Sequence, residues 1–451
     1  LIDADGHAVA SAEAVKVVKG ERLQMRLDVP GCRRWTAETP YLYTLRVESI
    51  NARSARKGKA AGKSRKEVKD GAESKDCKVG FRLVAVRYAK LYLNGCPLFL
   101  KGINLHGMKK GMSRDEMKDV LAMLRRHNIN AVRTDIADTQ WYDLCDEYGF
   151  YVCADIAEEN DSGCAAAQSL YNHPSLVMWG IGGSGKDEAS LKQLCWRLKR
   201  NDAQRPVMWV GLPFTDPNCD IYSPSGVTAK VADDYCNLSG PKADKPLVLA
   251  SYGSAVGNSY GAIGEYMAIR YSQPRFAGGF LCDGTYANML AGTPAMPEVA
   301  YQLQGISTYS HSPRTGRLEI FNDSYFSRLE NVEVEWVVRH NGEVVKSGVY
   351  DKPFSVEPRK TVAIRLGYDD LFKTWPDGVL TLDVAYRQKT AAPLAAKGRT
   401  LAREQIVVRP FNGVDAPAPL SALKTAALKV KNGKTLAVTN SCCDIAFDKT
   451  T

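Results

Sequence analysis

The sequence predicts a multidomain protein in which β-domains flank a central (β/α)₈ barrel. Its 451 residues are enough for two to four domains. Short apolar runs alternate with amphipathic stretches between residues 98 and 283, and apolar–polar alternation dominates on either side. With 45% apolar and 24% charged residues, the composition is that of a folded globular protein, which excludes collagen-like, coiled-coil and disordered chains.

Residues 1–83 predict a small β-domain with an insertion. Apolar positions alternate with polar ones over residues 23–29 and 42–47, which is the period of half-buried strands. The strand pattern resumes at residue 79. The insertion between them, residues 51–78, holds ten basic and four acidic residues and so carries +6 of the net charge of +10.

The basic insertion is a candidate docking segment. It has no aromatic residue to stack on a base, so any contact with RNA would go through phosphates. The insertion could equally bind an acidic protein surface. The simplest interpretation of the insertion is a solvated loop without a partner. The candidate docking residues are Arg53, Arg56, Lys57, Lys59, Lys63, Arg65 and Lys66.

Residues 84–306 predict the barrel. Amphipathic stretches such as 114–127, where Met117, Val120 and Leu124 share one helical face, separate eight strand-like runs. This alternation predicts a (β/α)₈ barrel, with a doubly wound sheet as the alternative. The predicted strands are 98–104, 130–135, 151–157, 176–182, 206–212, 219–223, 246–252 and 278–283.

After residue 306 the strand pattern returns. Turn sequences at 341–342 and 376–378 mark hairpin connections and predict a second β-sandwich over residues 307–411. Residues 412–451 predict a linker followed by the first strands of a C-terminal β-domain.

The cysteines and hydropathy bear on the compartment. Twelve cysteines form no CxxC pair and no Cys/His cluster, which is typical of free, buried thiols. We therefore expect an intracellular, reduced chain, with an organelle such as the mitochondrion open. Two glycosylation sequons, at 237–239 and 322–324, keep a secretory alternative open. No apolar run reaches the length of a membrane span, so we expect no membrane insertion.

Short motifs in a fixed order run through nearly the whole chain. They are WTAETPYLY (35–43), VGFR (79–82), LNGCP (93–97), KGINLH (101–106), NINAVRT (128–134), WYDLCDEYG (141–149), HPS (173–175), RPV (205–207), GNS (257–259) and GGF (278–280). In these motifs the chain resembles glycoside hydrolase family 2, the β-galactosidase and β-glucuronidase family. The resemblance implies an immunoglobulin-like β-sandwich, a TIM barrel, a second immunoglobulin-like β-sandwich and a further β-domain. We expect a degenerate and truncated member, whose N-terminal sugar-binding domain would precede residue 1.

The resemblance also implies two catalytic carboxylates at the C-terminal ends of barrel strands. The acid/base stretch Trp-Ser-Leu-Gly-Asn-Glu reads Trp-Gly-Ile-Gly-Gly-Ser here and ends at Ser184. The nucleophile stretch Cys-Glu-Tyr reads Ala-Ser-Tyr and places Ser251 at the nucleophile position. A serine hydroxyl can neither protonate the leaving group as a carboxylic acid does nor attack as a resident anion. No intact catalytic residue is therefore expected.

Other family positions are altered in parallel. The metal-associated Glu-x-His reads Glu159-Asn160-Asp161, so we expect the Mg²⁺ site to be lost and no cofactor to be bound. Glu159 and Asp161 are the candidate ligands for a hard cation, and a solvated loop is the simpler interpretation of these residues. The residues that resemble remnants of the sugar pocket are Asn104, His106, Arg133, Tyr222 and Asp283.

These observations predict a catalytically inactive β-galactosidase-like protein with a structural role. We expect protein partners in a large intracellular or organellar assembly. One alternative is an active β-glycosidase that takes its carboxylates from neighbouring positions such as Glu158 or Asp283. Another is a protein that binds carbohydrate, weakly, without hydrolysing it.

Overall fold

The computed structural model describes most of the chain. The described residues are 1–13, 24–49, 73–106, 111–135, 138–156, 161–182, 188–240, 244–254, 260–282, 284–368, 370–374, 377–411, 427–440 and 444–449. The seven candidate docking residues between Arg53 and Lys66 lie outside them. No helix in the described ranges is long and apolar enough to cross a membrane.

The N-terminal region pairs strand β1 (Tyr43–Ser49) with strand β2 (Glu73–Val79) in an antiparallel sheet. Two predictions for this region are wrong. Residues 24–29 form no strand, and most of their side chains are exposed, so their apolar–polar alternation does not give a buried face. Residues 73–78, assigned to the basic insertion, belong to β2, where Asp76 accepts two hydrogen bonds of 2.8 Å from Arg46 on β1. Cross-strand charge pairing lets this polar sequence form a strand.

A three-stranded hairpin unit leads into the barrel. Its strands are β3 (Val84–Arg87), β4 (Lys90–Leu93) and β5 (Cys96–Pro97). Their buried side chains Val84, Leu91 and Leu93 pack with the residues that fill the barrel interior.

The barrel prediction is confirmed. Eight parallel strands close on themselves, because the eighth strand pairs with the first, which excludes the doubly wound sheet. Each strand lies within two residues of its predicted ends. The strands are β6 (Leu100–Asn104), β7 (Ala131–Thr134), β8 (Tyr151–Asp155), β9 (Leu176–Ile181), β10 (Val207–Val210), β11 (Ile221–Ser223), β12 (Leu247–Tyr252) and β13 (Phe276–Leu281).

Helices surround the barrel. The first begins at Ser113, which accepts a hydrogen bond from the backbone N–H of Glu116 in a capping box. Its buried face is Met117, Val120, Leu121 and Leu124, as predicted. The helices are α1 (Arg114–Arg126), α2 (Thr139–Tyr148), α3 (Asp161–Ser169), α4 (Glu188–Asn201), α5 (Ala229–Asn237), α6 (Ile263–Ser272), α7 (Gly284–Ala291) and α8 (Met296–Gln302).

Two sheets form the β-sandwich after the barrel. Strands β14 (Ile306–Tyr309), β15 (Arg317–Asn322) and β18 (Thr361–Arg365) make one sheet. The other contains β16 (Val332–His340), β17 (Glu343–Val349), β19 (Leu380–Gln388) and β20 (Thr400–Arg409). Leu318 and Ile320 of the first sheet pack with Trp336 and Leu382 of the second in one core. A short helix, α9 (Leu371–Thr374), and a 3₁₀ turn, Pro313–Thr315, complete the domain.

A separate antiparallel sheet follows near the C-terminus. It contains β21 (Lys429–Asn432), β22 (Thr435–Thr439) and β23 (Asp444–Asp448). Strands therefore form where the sequence predicts the start of a further β-domain.

Candidate functional site

The C-terminal edge of the barrel carries a polar cluster on three adjacent strands. Asn104 ends β6, Arg133 lies in β7 and Asp155 ends β8. Alternate residues of a barrel strand point inward, so Ala131 and Cys153 fill the interior two residues before Arg133 and Asp155. The cluster thus continues the inward-facing layers of the barrel at the end where barrel enzymes place their active sites.

An ionic triad forms the centre of the cluster. Arg133 donates to both oxygens of Asp155, from Nε at 3.0 Å and from Nη2 at 2.6 Å. His106 Nε2 lies 2.9 Å from Asp155 Oδ2. Burial alone would raise the pKa of the Asp155 carboxyl, but hydrogen bonds and charge from His106 and Arg133 outweigh it and lower that pKa. Asp155 is therefore an anion held by its two neighbours.

A backbone carbonyl on β12, which is separated from β6 by one strand, joins two residues of the cluster. Asn104 Nδ2 donates to the carbonyl of Ala250 at 3.0 Å, and Arg133 Nη1 donates to the same oxygen at 3.3 Å. Asn104 Oδ1 is buried and has no hydrogen-bond partner within the described ranges. Strands β6, β7 and β12 are thereby linked to one another.

Gly180 on β9 makes room for the triad. A Cβ placed on Gly180 would lie 1.7 Å from Asp155 Oδ1. The Asp155 carboxylate therefore occupies the space that any larger side chain at position 180 would need.

Ser251, at the predicted nucleophile position, lies near the end of β12, directly after Ala250. It is half-buried, and its carbonyl accepts a hydrogen bond of 2.9 Å from the N–H of Gly226. Of the other predicted residues, Asn104, His106 and Arg133 come together at this edge. Ser184, Glu159, Glu158 and Asp283 lie outside the described residues, as does the side chain of Asp161.

The prediction that Tyr222 belongs to the pocket is wrong. Its ring packs outside the barrel, 4.5 Å from the ring centre of Tyr235 on α5 and 5.5 Å from that of Phe214. Ile221, its neighbour on β11, packs in the barrel interior instead. The cause is strand alternation, which turns Tyr222 toward the helices.

Two residues of the barrel-edge cluster, Asp155 and Gly180, were not predicted from the sequence. Asp155 was not assigned to the pocket, although the inward period of Tyr151 and Cys153 would have placed it in the barrel. Gly180 stands where the family motif has Ser, and that substitution was the available signal for the space it leaves.

The described residues do not fit a Mg²⁺ site at this edge. The Asp155 carboxylate is already bonded to Arg133 and His106, two groups that would compete with a divalent cation. A group with metal-ligand spacing, Asp143, Asp146 and His173, lies at the opposite end, before β9. There His173 Nδ1 is 2.6 Å from Asp146 Oδ2, and Asp146 also accepts from the N–H of Ser175. His173 therefore positions the entry to β9.

The closed barrel, its polar C-terminal edge and the β-sandwich that follows define a multidomain protein built around a TIM barrel. The family model for the TIM barrel domain of family 2 glycosyl hydrolases matches residues 84–171 and 163–293, and that for domain 4 of β-galactosidase matches residues 318–409. The chain belongs to glycoside hydrolase family 2.

Curated relatives agree with this assignment. A β-galactosidase of Vibrio vulnificus is 26% identical over 458 residues, covering 85% of this chain and 42% of the relative. A β-galactosidase of Priestia megaterium is 27% identical over 528 residues, covering 100% of this chain and 48% of the relative. The chain thus spans about half the length of the curated relatives it matches. Among solved structures, a β-glycosidase from Bacteroides vulgatus shows 15% identity over 94% of this chain and 61% of that one, with a TM-score of 0.48.

Proposed function

We propose that this chain is a non-hydrolytic member of its family with a structural role. The observation that carries the proposal is the serine at position 251, at the barrel edge where the family resemblance implies the nucleophilic glutamate. The serine at position 184, where it implies the acid/base, points the same way. Both halves of a retaining mechanism lack their carboxylate.

The chemistry of the remaining cluster supports this proposal. A glycosidase acid needs a carboxyl whose pKa is raised, so that it is protonated when the substrate binds. The pKa of Asp155 is lowered instead, and both of its oxygens are bonded to neighbours. Asp155 is thus unsuited to deliver a proton, and as a nucleophile it would have to attack with an oxygen that already accepts a hydrogen bond from Arg133.

The structural role we propose is that of a subunit in a large intracellular or organellar assembly. The predicted partners are proteins, with RNA or an acidic surface contacted by the basic segment that contains Arg53 to Lys66. The support is the local excess of positive charge in that segment. Native mass measurement on material from the source would test it: a mass far above 49.5 kDa supports the assembly, and a free monomer contradicts it.

Residual carbohydrate binding is the second candidate. Asn104 Oδ1 has no partner among the described residues and is an acceptor suited to a sugar hydroxyl, and relatives at 26–27% identity are named β-galactosidases. Calorimetric titration with galactose and glucuronate separates this candidate from the scaffold proposal, because only a binding protein gives saturable heat.

Hydrolysis is tested with aryl β-galactosides and β-glucuronides. We expect no turnover above that of the Ser251→Ala and Ser184→Ala variants. Turnover that either substitution abolishes would overturn the proposal. Turnover that survives both, but is lost in Asp283→Asn or Glu158→Gln, would establish the active-glycosidase alternative.

A further inference from the structure

A cavity of about 300 Å³ lies between the barrel and the β-sandwich. Phe99, Asn130 and Tyr151 line it, and these residues lie just before, or at the first residue of, β6, β7 and β8. The cavity is therefore at the N-terminal end of the barrel, opposite the cluster around Asp155. Its volume is at the lower end of the range for sites that hold small molecules.

The cavity has more cationic than anionic side chains. Its two carboxylates, Glu38 and Asp323, are already engaged. Asp323 pairs with Arg270 and with Arg359. Glu38 accepts hydrogen bonds of 2.8–3.0 Å from the backbone N–H groups of residues 325–327. The cationic residues in the lining are Lys101, Arg125, Arg270 and Arg399.

Three of these cations are paired only with neutral acceptors in the described part of the chain. Lys101 Nζ donates to the carbonyl of Gln304 at 3.2 Å. Arg125 donates to the carbonyls of Tyr148 and Gly149, the latter at 3.0 Å. Arg399 bonds to the Arg125 carbonyl and to Asn128 Oδ1, while its Nε is buried with no hydrogen-bond partner. A buried guanidinium N–H without an acceptor is costly, and an anion beside Arg399 would supply that acceptor.

The pKa values of the cationic side chains also indicate that an anion would be stabilised in the cavity. Burial, with repulsion from Arg270, lowers the pKa of Lys101 to about 8. Burial, with repulsion between basic groups, lowers the pKa values of Arg125 and Arg399 to about 10. An anion within the cavity would offset both effects.

We propose that this cavity binds a phosphate group, either free or carried by a small molecule. The planar guanidinium groups of Arg125 and Arg399 offer the forked donors that suit a tetrahedral oxyanion, and Lys101 adds a point charge. The volume admits the group with a few further atoms. The site is independent of the proposed function, because it shares no residue with the C-terminal edge of the barrel.

The experiment is calorimetric titration of the full chain with inorganic phosphate, at constant ionic strength set by chloride. We expect saturable binding to one site, weakened at least tenfold in Arg399→Gln, a change equivalent to about 1.4 kcal/mol at 25 °C. Arg200→Gln is the matched control, because Arg200 is an exposed arginine in the last turn of α4. Its affinity for phosphate should equal that of the unmodified chain.

Glycerol phosphate serves as the second probe. Tighter binding than that of inorganic phosphate indicates a carried group, and binding of inorganic phosphate alone indicates a free ion. No saturable heat with either probe in the unmodified chain overturns the proposal, as does equal weakening in the Arg399 and Arg200 variants. If Arg399→Gln does not fold, Arg399→Lys replaces it, and an undiminished affinity there would count against the forked contact.

Discussion

Replacing Gly180 with alanine is the sharpest perturbation of the barrel edge. The added Cβ would lie 1.7 Å from Asp155 Oδ1 and 3.2 Å from Cys153 Sγ. The carboxylate must therefore leave its position, which breaks its bonds to Arg133 and separates it from His106. Asp155 and Arg133 are 12% and 9% exposed, so water can replace little of what is lost.

The expected cost follows from that geometry. Breaking a buried ion pair destabilises a protein by about 3–5 kcal/mol. Alanine in a strand offsets roughly 0.5–1 kcal/mol of this by restricting the unfolded chain. We expect Gly180→Ala to lower the free energy of unfolding by about 2–4 kcal/mol.

Urea-induced unfolding, followed by tryptophan fluorescence, measures this loss. Gly182→Ala is the matched control, because the atoms nearest to its Cβ would belong to Val210, the first at 3.0 Å, and not to a charged group. Combining Gly180→Ala with Asp155→Ala should be less destabilising than the sum of the two changes, since the second removes the clash. A Gly180→Ala variant as stable as Gly182→Ala would refute the proposed packing of Asp155.

Three further predictions concern stability. Folding lowers the pKa of Asp155, so its contribution to the free energy of unfolding should be complete above the unfolded pKa near 3.9 and lost as pH falls through the folded value. Asp155→Asn should therefore reduce the loss of stability that accompanies acidification, measured as the free energy of unfolding at a series of pH values. Ser113→Ala removes the cap of α1 and should cost about 1 kcal/mol in urea unfolding, with Ser113→Thr close to the original. Glu38→Gln leaves one oxygen to serve the three N–H groups of residues 325–327 and should cost about 1–3 kcal/mol; an unchanged midpoint would refute that contact.

The barrel followed from sequence because its strands are apolar runs bounded by turns and separated by amphipathic helices. Residues 114–126 illustrate this, since the apolar period of Met117, Val120 and Leu124 marks the helix that forms. The strand over residues 73–79 was missed because it is charged and exposed. Its pairing with residues 43–49 depends on a cross-strand contact that no local pattern shows.

Only part of the candidate site was predictable, because motif positions identify residues but not the contacts between distant segments. Motif positions located Asn104, His106 and Arg133. Tyr222 was assigned to the pocket without considering whether its side chain points into the barrel or outward from β11. The cavity around Lys101 could not be predicted from the sequence, because its lining runs from residue 37 to residue 401 and comes together only when the domains pack.

The central claim is that this family 2 chain lacks glycosidase chemistry. A 2-deoxy-2-fluoro-galactosyl inactivator traps the covalent intermediate of a retaining enzyme, and intact-mass spectrometry detects the adduct. With an active family 2 β-galactosidase as the positive control, we predict complete labelling of the control and an unchanged mass for this chain. A stoichiometric glycosyl adduct on this chain, at Ser251 or at any carboxylate, would contradict the claim.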